Sequence, residues 1–285
     1  DQPDIPKVTE IFQELEFRPE STDISVMTEF TVNMTKKSSN NNVASGNDLT
    51  RPIANASPKK VIVAGGYGVF GRWVCGELAG DSSKGLLELV IAGRNPIKAE
   101  ELASELTNSR PQATITPQAL NIHDPLALQQ QLADAFLLIN CCGPFQNRDY
   151  SVAKACIASG THYIDLADSR NFVTGISALD QAAQAAKVSV VSGASSVPGL
   201  SSAVLKELCA DIEVVESIDI AIAPGNKAPR GEATVHSILL STGQPIPYWQ
   251  NGRWQPRLGW FNHRRIHFGR AGHRWIANVD IPDLS

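Results

Sequence analysis

The residues whose types and spacing could support chemistry begin with Gly66, Gly68 and Gly71. They lie in Val61-Ile62-Val63-Ala64-Gly65-Gly66-Tyr67-Gly68-Val69-Phe70-Gly71. The glycines fit G-x-G-x-x-G directly after an apolar run and directly before a helical pattern carried by Phe70, Trp73, Val74 and Leu78. In that setting Gly66 turns the chain, Gly68 lets a pyrophosphate approach bare backbone, and Gly71 lets the helix pack on the strand. N–H groups at the helix start then face the phosphates. Gly65, Gly66, Tyr67, Gly68, Val69, Phe70 and Gly71 are therefore the expected centre of a dinucleotide site.

A second apolar run, Leu87 to Ala92, ends in Gly93-Arg94-Asn95-Pro96. NAD-binding folds place an acid at this tip to accept hydrogen bonds from the ribose diol. None stands here, and a guanidinium pairs well with a 2'-phosphate. Arg94 and Asn95 thus predict NADP in preference to NAD, the alternative being Arg94 as a solvated loop charge. Open parallel sheets bind ligands across the carboxyl ends of the strands, where strand order reverses. Asn121 and Ile122 are accordingly expected near adenine, and Asn140, Cys141, Gly143, Pro144 and Phe145 beside the nicotinamide ribose. Cys141 and Cys142 read as buried thiols, since neither has an adjacent base to activate it.

No compact proton-donor signature is present, and Tyr163 and Asp165, at the end of a strand on the same rim, are the only catalytic candidates. Asp165 and Asp168, with Ser195 and Ser196 in Gly193-Ala194-Ser195-Ser196-Val197-Pro198-Gly199, are the candidates for holding substrate. The structural alternatives are a hydrogen-bonded rim carboxylate and an ordinary helix cap. His162, Asp165 and Asp168 do not suggest a metal, because residues three apart on a strand point to opposite faces. G-x-S-x-G is absent from that loop, which argues against a hydrolase elbow.

These residues need a parallel sheet to position them. Strands at 61 to 65, 87 to 92, 113 to 116, 135 to 139, 162 to 166 and 188 to 192 alternate with helices. Those helices are expected near 70 to 79, after Pro96, after Pro125, at 150 to 159 and at 177 to 187. The alternation predicts an α/β Rossmann fold, a doubly wound parallel sheet, over residues 58–210. From 211 to 285 the pattern changes. After a helix over 199 to 210, Ile218, Ile220 and Ile222 alternate with polar or small residues. A helix over 231 to 241 follows, then a hairpin around Gly269 to Gly272. That part reads as a second α+β domain on a mainly antiparallel sheet, for substrate and dimerisation. Its stretch from Asn251 to Val279 holds six arginines and no acid among several aromatics. A nucleic-acid surface could look like this, but an amphipathic sheet with aromatics inward and arginines outward is the expected form.

The remaining sequence sets limits. The 285 residues, 42% hydrophobic with a net charge of -4, describe an ordinary globular protein and not a general nucleic-acid binder. No apolar run reaches the roughly 20 residues of a membrane span. Five cysteines outside C-x-x-C pairs indicate reduced thiols, a cytoplasmic setting and no structural zinc. Residues 1–57 read as a peripheral leader, with one short amphipathic helix from Val8 to Phe17 and a Ser/Asn-rich linker from Ser38.

Five blocks in order resemble the saccharopine dehydrogenase-like, or saccharopine reductase-like, oxidoreductases. They are Val61 to Gly71, Ala92-Gly93-Arg94-Asn95-Pro96, Ile139 to Phe145, His162 to Asp168 and Val191 to Gly199. The resemblance implies an NAD(P)-binding Rossmann domain, a substrate domain and a homodimer. It also implies hydride transfer to or from a C=N, C=O or activated C=C bond of a small or carrier-bound substrate. A non-catalytic NADP-binding sensor or scaffold is the alternative. Asn121 stands where relatives commonly have Asp. Similar proteins continue beyond Leu284, so a shortened substrate domain is expected.

Overall fold

The computed structural model describes residues 29–33, 57–215, 217–224, 231–269 and 272–282. The helix expected from Val8 to Phe17, and the linker from Ser38 up to residue 56, lie outside the described residues. The chain divides into two compact units. One gathers Asp1–Ser45, Ser201–Pro229 and Gly243–Val279; the other gathers Gly46–Leu200, Arg230–Thr242 and Asp280–Ser285.

The second of these units is built on a six-stranded parallel sheet. In chain order it runs β2 (Lys59–Ala64), α1 (Val69–Ser82), β3 (Leu87–Gly93), α2 (Pro96–Ser109), β4 (Ile115–Ala119), α3 (Pro125–Leu132), β5 (Leu137–Asn140) and α4 (Ser151–Ser159). β6 (His162–Asp165), α5 (Arg170–Gly175), a 3-10 turn at Ile176–Leu179, α6 (Asp180–Ala186) and β7 (Val190–Val191) follow. Strand order is β4-β3-β2-β5-β6-β7, so the order reverses between β2 and β5. This is the expected doubly wound sheet. The departures are local: β4 ends at Ala119 instead of near residue 116, the helix expected at 177 to 187 divides into the 3-10 turn and α6, and α5 precedes it where no helix was expected.

β2 explains why the sheet has helices on both faces. Its side chains alternate between two cores: Ile62 and Ala64 join the cluster with Leu128, Leu132, Val152 and Cys156, while Val61 and Val63 join Cys75, Ala79, Leu89 and Leu102. A side chain such as Ile62 or Leu89, fully buried, contributes about 1.5–3 kcal/mol relative to exposure. α1 turns a small-residue face inward, Gly71, Cys75, Ala79 and Ser82. Phe70 and Trp73, which mark the helical period in the sequence, stand exposed. A helix that approaches a sheet this closely has room only for small side chains on its inner face.

Antiparallel pairs make up the other unit. β1 (Glu29–Asn33) pairs with β8 (Asp219–Ala223), β9 (Pro245–Gln250) with β10 (Arg253–Leu258), and β11 (Arg264–His267) with β12 (His273–Ile276). α7 (Ser201–Leu208) belongs here too, whereas α8 (Glu232–Ser241) falls in the parallel-sheet unit. The aromatics do not turn inward as expected. Phe268 is buried, but Trp249, Trp254, Phe261 and Trp275 are exposed, Trp275 at 70%. Among the described residues each of these antiparallel sheets has two strands only. No helix among the described residues is long and apolar enough to cross a membrane.

Candidate functional site

The first strand-to-helix corner is formed by backbone packed against backbone. Gly65 and Gly66 donate their N–H groups to the carbonyl of Ala92, at 2.8 and 3.1 Å, and Gly68 N–H donates to Gly65 O at 2.9 Å. A Cβ on Gly71 would lie 2.2 Å from Gly65 O and 2.8 Å from Gly66 Cα. One on Gly66 would lie 2.9 Å from Ile91 Cγ2. Both contacts are far inside van der Waals distance, so glycine is required for the helix to start where it does.

α1 also starts differently from its neighbours. Asn95 caps α2 by accepting from Lys98 N–H at 3.2 Å, and Asp124 caps α3 by accepting from Leu126 and Ala127 N–H groups at 3.0 and 3.2 Å. α1 has Gly68 at its cap, no side-chain bond there and no acid in its first turn. Its leading N–H groups, at Val69 and Phe70, are left for an anion.

The switch point brings the expected segments together. Cys141 N–H donates to Ala64 O at 2.8 Å, continuing the ladder, and a Cβ on Gly65 would meet Cys142 Sγ at 3.0 Å. Gly143 and Pro144 follow through a cis peptide bond, and Phe145 turns into a small cluster with Ala167 and Phe172. Leu120 N–H donates to Gly93 O at 2.9 Å, which sets exposed Asn121 and buried Ile122 beside the tip of β3. Arg94 is exposed at that tip, with no side-chain hydrogen bond or ion pair among the described residues. Its charge reaches Cys142, whose thiol burial pushes up to about 11 despite the guanidinia of Arg94 and Arg148. Burial likewise pushes Cys141 up to about 12. Neither thiol is ionised near neutrality.

Other candidates lie inside the protein. Asn140 is buried; its Oδ1 accepts from Cys142 N–H at 3.0 Å and its Nδ2 donates to Tyr163 Oη at 3.2 Å. Tyr163 is 1% exposed, and its phenol is raised above its usual range by burial and then by the Asp165 charge. Asp165 is 0% exposed. Its Oδ1 accepts from Ala167 N–H, Gly193 N–H and Ser192 Oγ at 2.9, 2.9 and 2.8 Å, and its Oδ2 is buried without a hydrogen-bond partner. Burial raises the Asp165 carboxyl, against the pull of the Gly193 and Ala167 amides and of the Ser192 hydroxyl. Asp165 therefore ties the end of β6 to the loop after β7.

Asp168 remains on the rim. It accepts from Gln146 Nε2 at 3.3 Å and from Ser237 Oγ at 3.5 Å, while Gln146 Nε2 also donates to Ser237 Oγ at 2.7 Å. Gln146 and Ser237 were not legible as rim residues. Gln146 directly follows the Gly143-Pro144-Phe145 block, a usable signal; Ser237 sits mid-helix in α8 and carries none. Ser195 Oγ donates to Val197 O at 2.7 Å and Ser196 is exposed at the start of the helical turn Ser196–Leu200, so these hydroxyls are not brought together with Asp168 by any hydrogen bond among the described residues. No group of three metal-ligating side chains forms among the described residues.

A parallel sheet of this strand order with an open, glycine-lined first turn defines the class: a doubly wound dinucleotide-binding domain. Residues 61–191 match the family model described as the saccharopine dehydrogenase NADP binding domain. Over those residues the chain is similar to the NADP-binding domain of saccharopine dehydrogenase. A saccharopine dehydrogenase-like oxidoreductase of Rattus norvegicus is 27% identical over 41% of this chain. A "Probable mitochondrial saccharopine dehydrogenase-like oxidoreductase" of Arabidopsis thaliana is 29% identical over 40%. The matches span only 29% and 26% of those two proteins. Among solved structures, apo saccharopine dehydrogenase (L-Glu forming) of Saccharomyces cerevisiae shares the fold at a TM-score of 0.55 and 15% identity. That likeness covers 78% of this chain and 50% of the yeast chain.

Proposed function

We propose that the protein is an NADP-dependent oxidoreductase that transfers hydride to or from a C=N, C=O or activated C=C bond of a small or carrier-bound substrate. One observation carries the reading: the start of α1 is uncapped and held against Gly65 and Gly66 by the missing Cβ of Gly71. Gly66 to Gly71 then hold the pyrophosphate, Arg94 the 2'-phosphate, Asn121 and Ile122 the adenine side, and Cys141 to Phe145 the nicotinamide ribose. When bound, NADPH would supply the hydride, or NADP would accept it in the reverse direction. The chain's own residues orient it and hold the substrate, with Asp168 suited to a substrate amine and Ser195 and Ser196 to a carboxylate. The relatives' names favour an imine or secondary amine as the reacting group. Residues 58–210 form the cofactor domain in this reading, and 211–285 serve substrate and dimer.

The second reading, an NADP-binding sensor or scaffold, draws on a specific observation: Tyr163 and Asp165, the only catalytic candidates, are interior side chains. NADPH fluorescence and absorbance separate the two. Binding followed by NADPH consumption with keto acids plus amines, aldehydes or enoyl thioesters supports the enzyme, and binding without consumption across that panel supports the sensor. Arg94→Ala should weaken NADP about tenfold and leave NAD unchanged; an equal loss for both nucleotides refutes the 2'-phosphate role. We place the protein in the cytoplasm on its five cysteines outside C-x-x-C pairs, with fractionation as the test because the plant relative's name points to mitochondria. A homodimer is the proposed assembly, to be read by light scattering.

A further inference from the structure

In an NAD site the side chain at the tip of the second strand is a carboxylate, and it needs a Cβ there to carry it. Here the tip of β3 is Gly93, and the space above its Cα is filled. A Cβ on Gly93 would lie 2.4 Å from Tyr67 Cε1 and 2.7 Å from both Cζ and Oη. The obstacle is a side-chain ring, not backbone, so it yields only by leaving. Leaving has a cost of its own, because Tyr67 Oη accepts the N–H of Asn95 at 2.8 Å. That amide belongs to the turn that follows Arg94 and caps α2. A side chain at 93 and the ring of Tyr67 are therefore mutually exclusive, and the ring's presence fixes the Arg94-Asn95 turn.

We propose that Tyr67 sets the choice between the two nicotinamide dinucleotides: its ring takes the volume a ribose-binding carboxylate would need, and its hydroxyl pins the turn that presents Arg94. This rests on the NADP reading above and adds a residue to it. The physical division of labour is simple. Arg94 supplies the charge for the 2'-phosphate, whereas Tyr67 supplies its placement and removes the competing solution.

The test measures dissociation constants of wild type and variants for NADP and NAD by ligand fluorescence. Tyr67→Phe keeps the ring and loses only the acceptor, and NADP should weaken about fivefold with NAD unchanged. Gly93→Ala should expel the ring and reproduce Tyr67→Ala, and combining the two should add little to either alone. Tyr67→Ala with Gly93→Asp opens the volume and fills it with a carboxylate, so NAD should gain about tenfold over wild type. The NADP-to-NAD ratio is the readout, because general damage to the fold lowers both affinities together. Tyr67→Phe and Tyr67→Ala retaining the wild-type ratio would overturn the proposal, and they decide it even if the double variant fails to fold. A wild-type protein that binds neither nucleotide instead removes the NADP reading itself.

Discussion

Gly71 and Gly76 stand five residues apart in α1 and predict opposite outcomes for one substitution. At Gly71 the added methyl would come within 2.2 Å of Gly65 O and 2.9 Å of Gly65 C, both backbone atoms with nowhere to swing. The helix start must retreat by roughly 1 Å to restore a normal contact. Overpacking of this kind costs about 1–3 kcal/mol, which lowers Tm by about 2–5 °C at this chain length. The retreat also draws the leading N–H groups from the pyrophosphate. Charge-assisted bonds of about 1.5–3 kcal/mol each are at stake, so NADP affinity should fall by more than about tenfold. At Gly76 nothing lies within 4 Å of an added Cβ. Alanine there should stabilise the helix by about 0.5–1 kcal/mol and leave nucleotide binding unchanged. Thermal melts and NADPH fluorescence titrations on Gly71→Ala and Gly76→Ala check both. A Gly71→Ala protein with wild-type affinity would refute the argument that a cradle without side chains holds the cofactor.

Two further outcomes follow from titratable groups. The folded-state pKa of Asp165 is raised, chiefly by burial, so its contribution to stability is complete below the unfolded value of about 3.9 and is lost as pH rises through the folded value. Asp165→Asn should therefore gain Tm relative to wild type on going from about pH 4 to pH 7, and melts showing a constant difference between the two proteins would contradict this. Burial pushes the thiols of Cys75, Cys141 and Cys156 up to about 12 and that of Cys142 to about 11. At pH 8 only ~0.1% or less of each is thiolate. A disulfide reagent such as DTNB should leave these four unmodified in native protein and react with them in denaturant; rapid native labelling of Cys141 or Cys142, located by mass spectrometry, would count against the buried assignment.

The parallel sheet was legible because its signals are local and repeated: apolar runs ending in glycine, Asn95 and Asp124 as caps before prolines, and Gly160 as a stop in the left-handed conformation. What escaped was set by partners distant in sequence. β1 gives no strong pattern of its own and becomes a strand only against β8, nearly two hundred residues later. The β9–β10 hairpin carried a readable turn, Asn251-Gly252, both at positive φ. Pro245, Pro247 and Pro256 in its strands weaken that signal, and a two-stranded ribbon tolerates them because each strand is an edge. At the site, the glycine corner and the Arg94 tip could be read from motif spacing. The interior bonds of Asn140, Tyr163 and Asp165 could not, since alternation along β6 shows which face a residue occupies but not which loop comes down to meet it. Ser237 is the extreme case, a helix serine ninety residues from Gln146.

That distance has a bearing on how the molecule is made. The parallel strands are complete in sequence by Val191, yet the serine that bonds Gln146, and the Asp280 that pairs with Arg170 Nε at 2.9 Å, arrive only with much later residues. During synthesis the nucleotide cradle can close early, while the rim beside it stays unfinished until the ribosome has passed the last of the antiparallel strands. A nascent chain would thus acquire its grip on a dinucleotide before it acquires the neighbourhood in which a second molecule could be held.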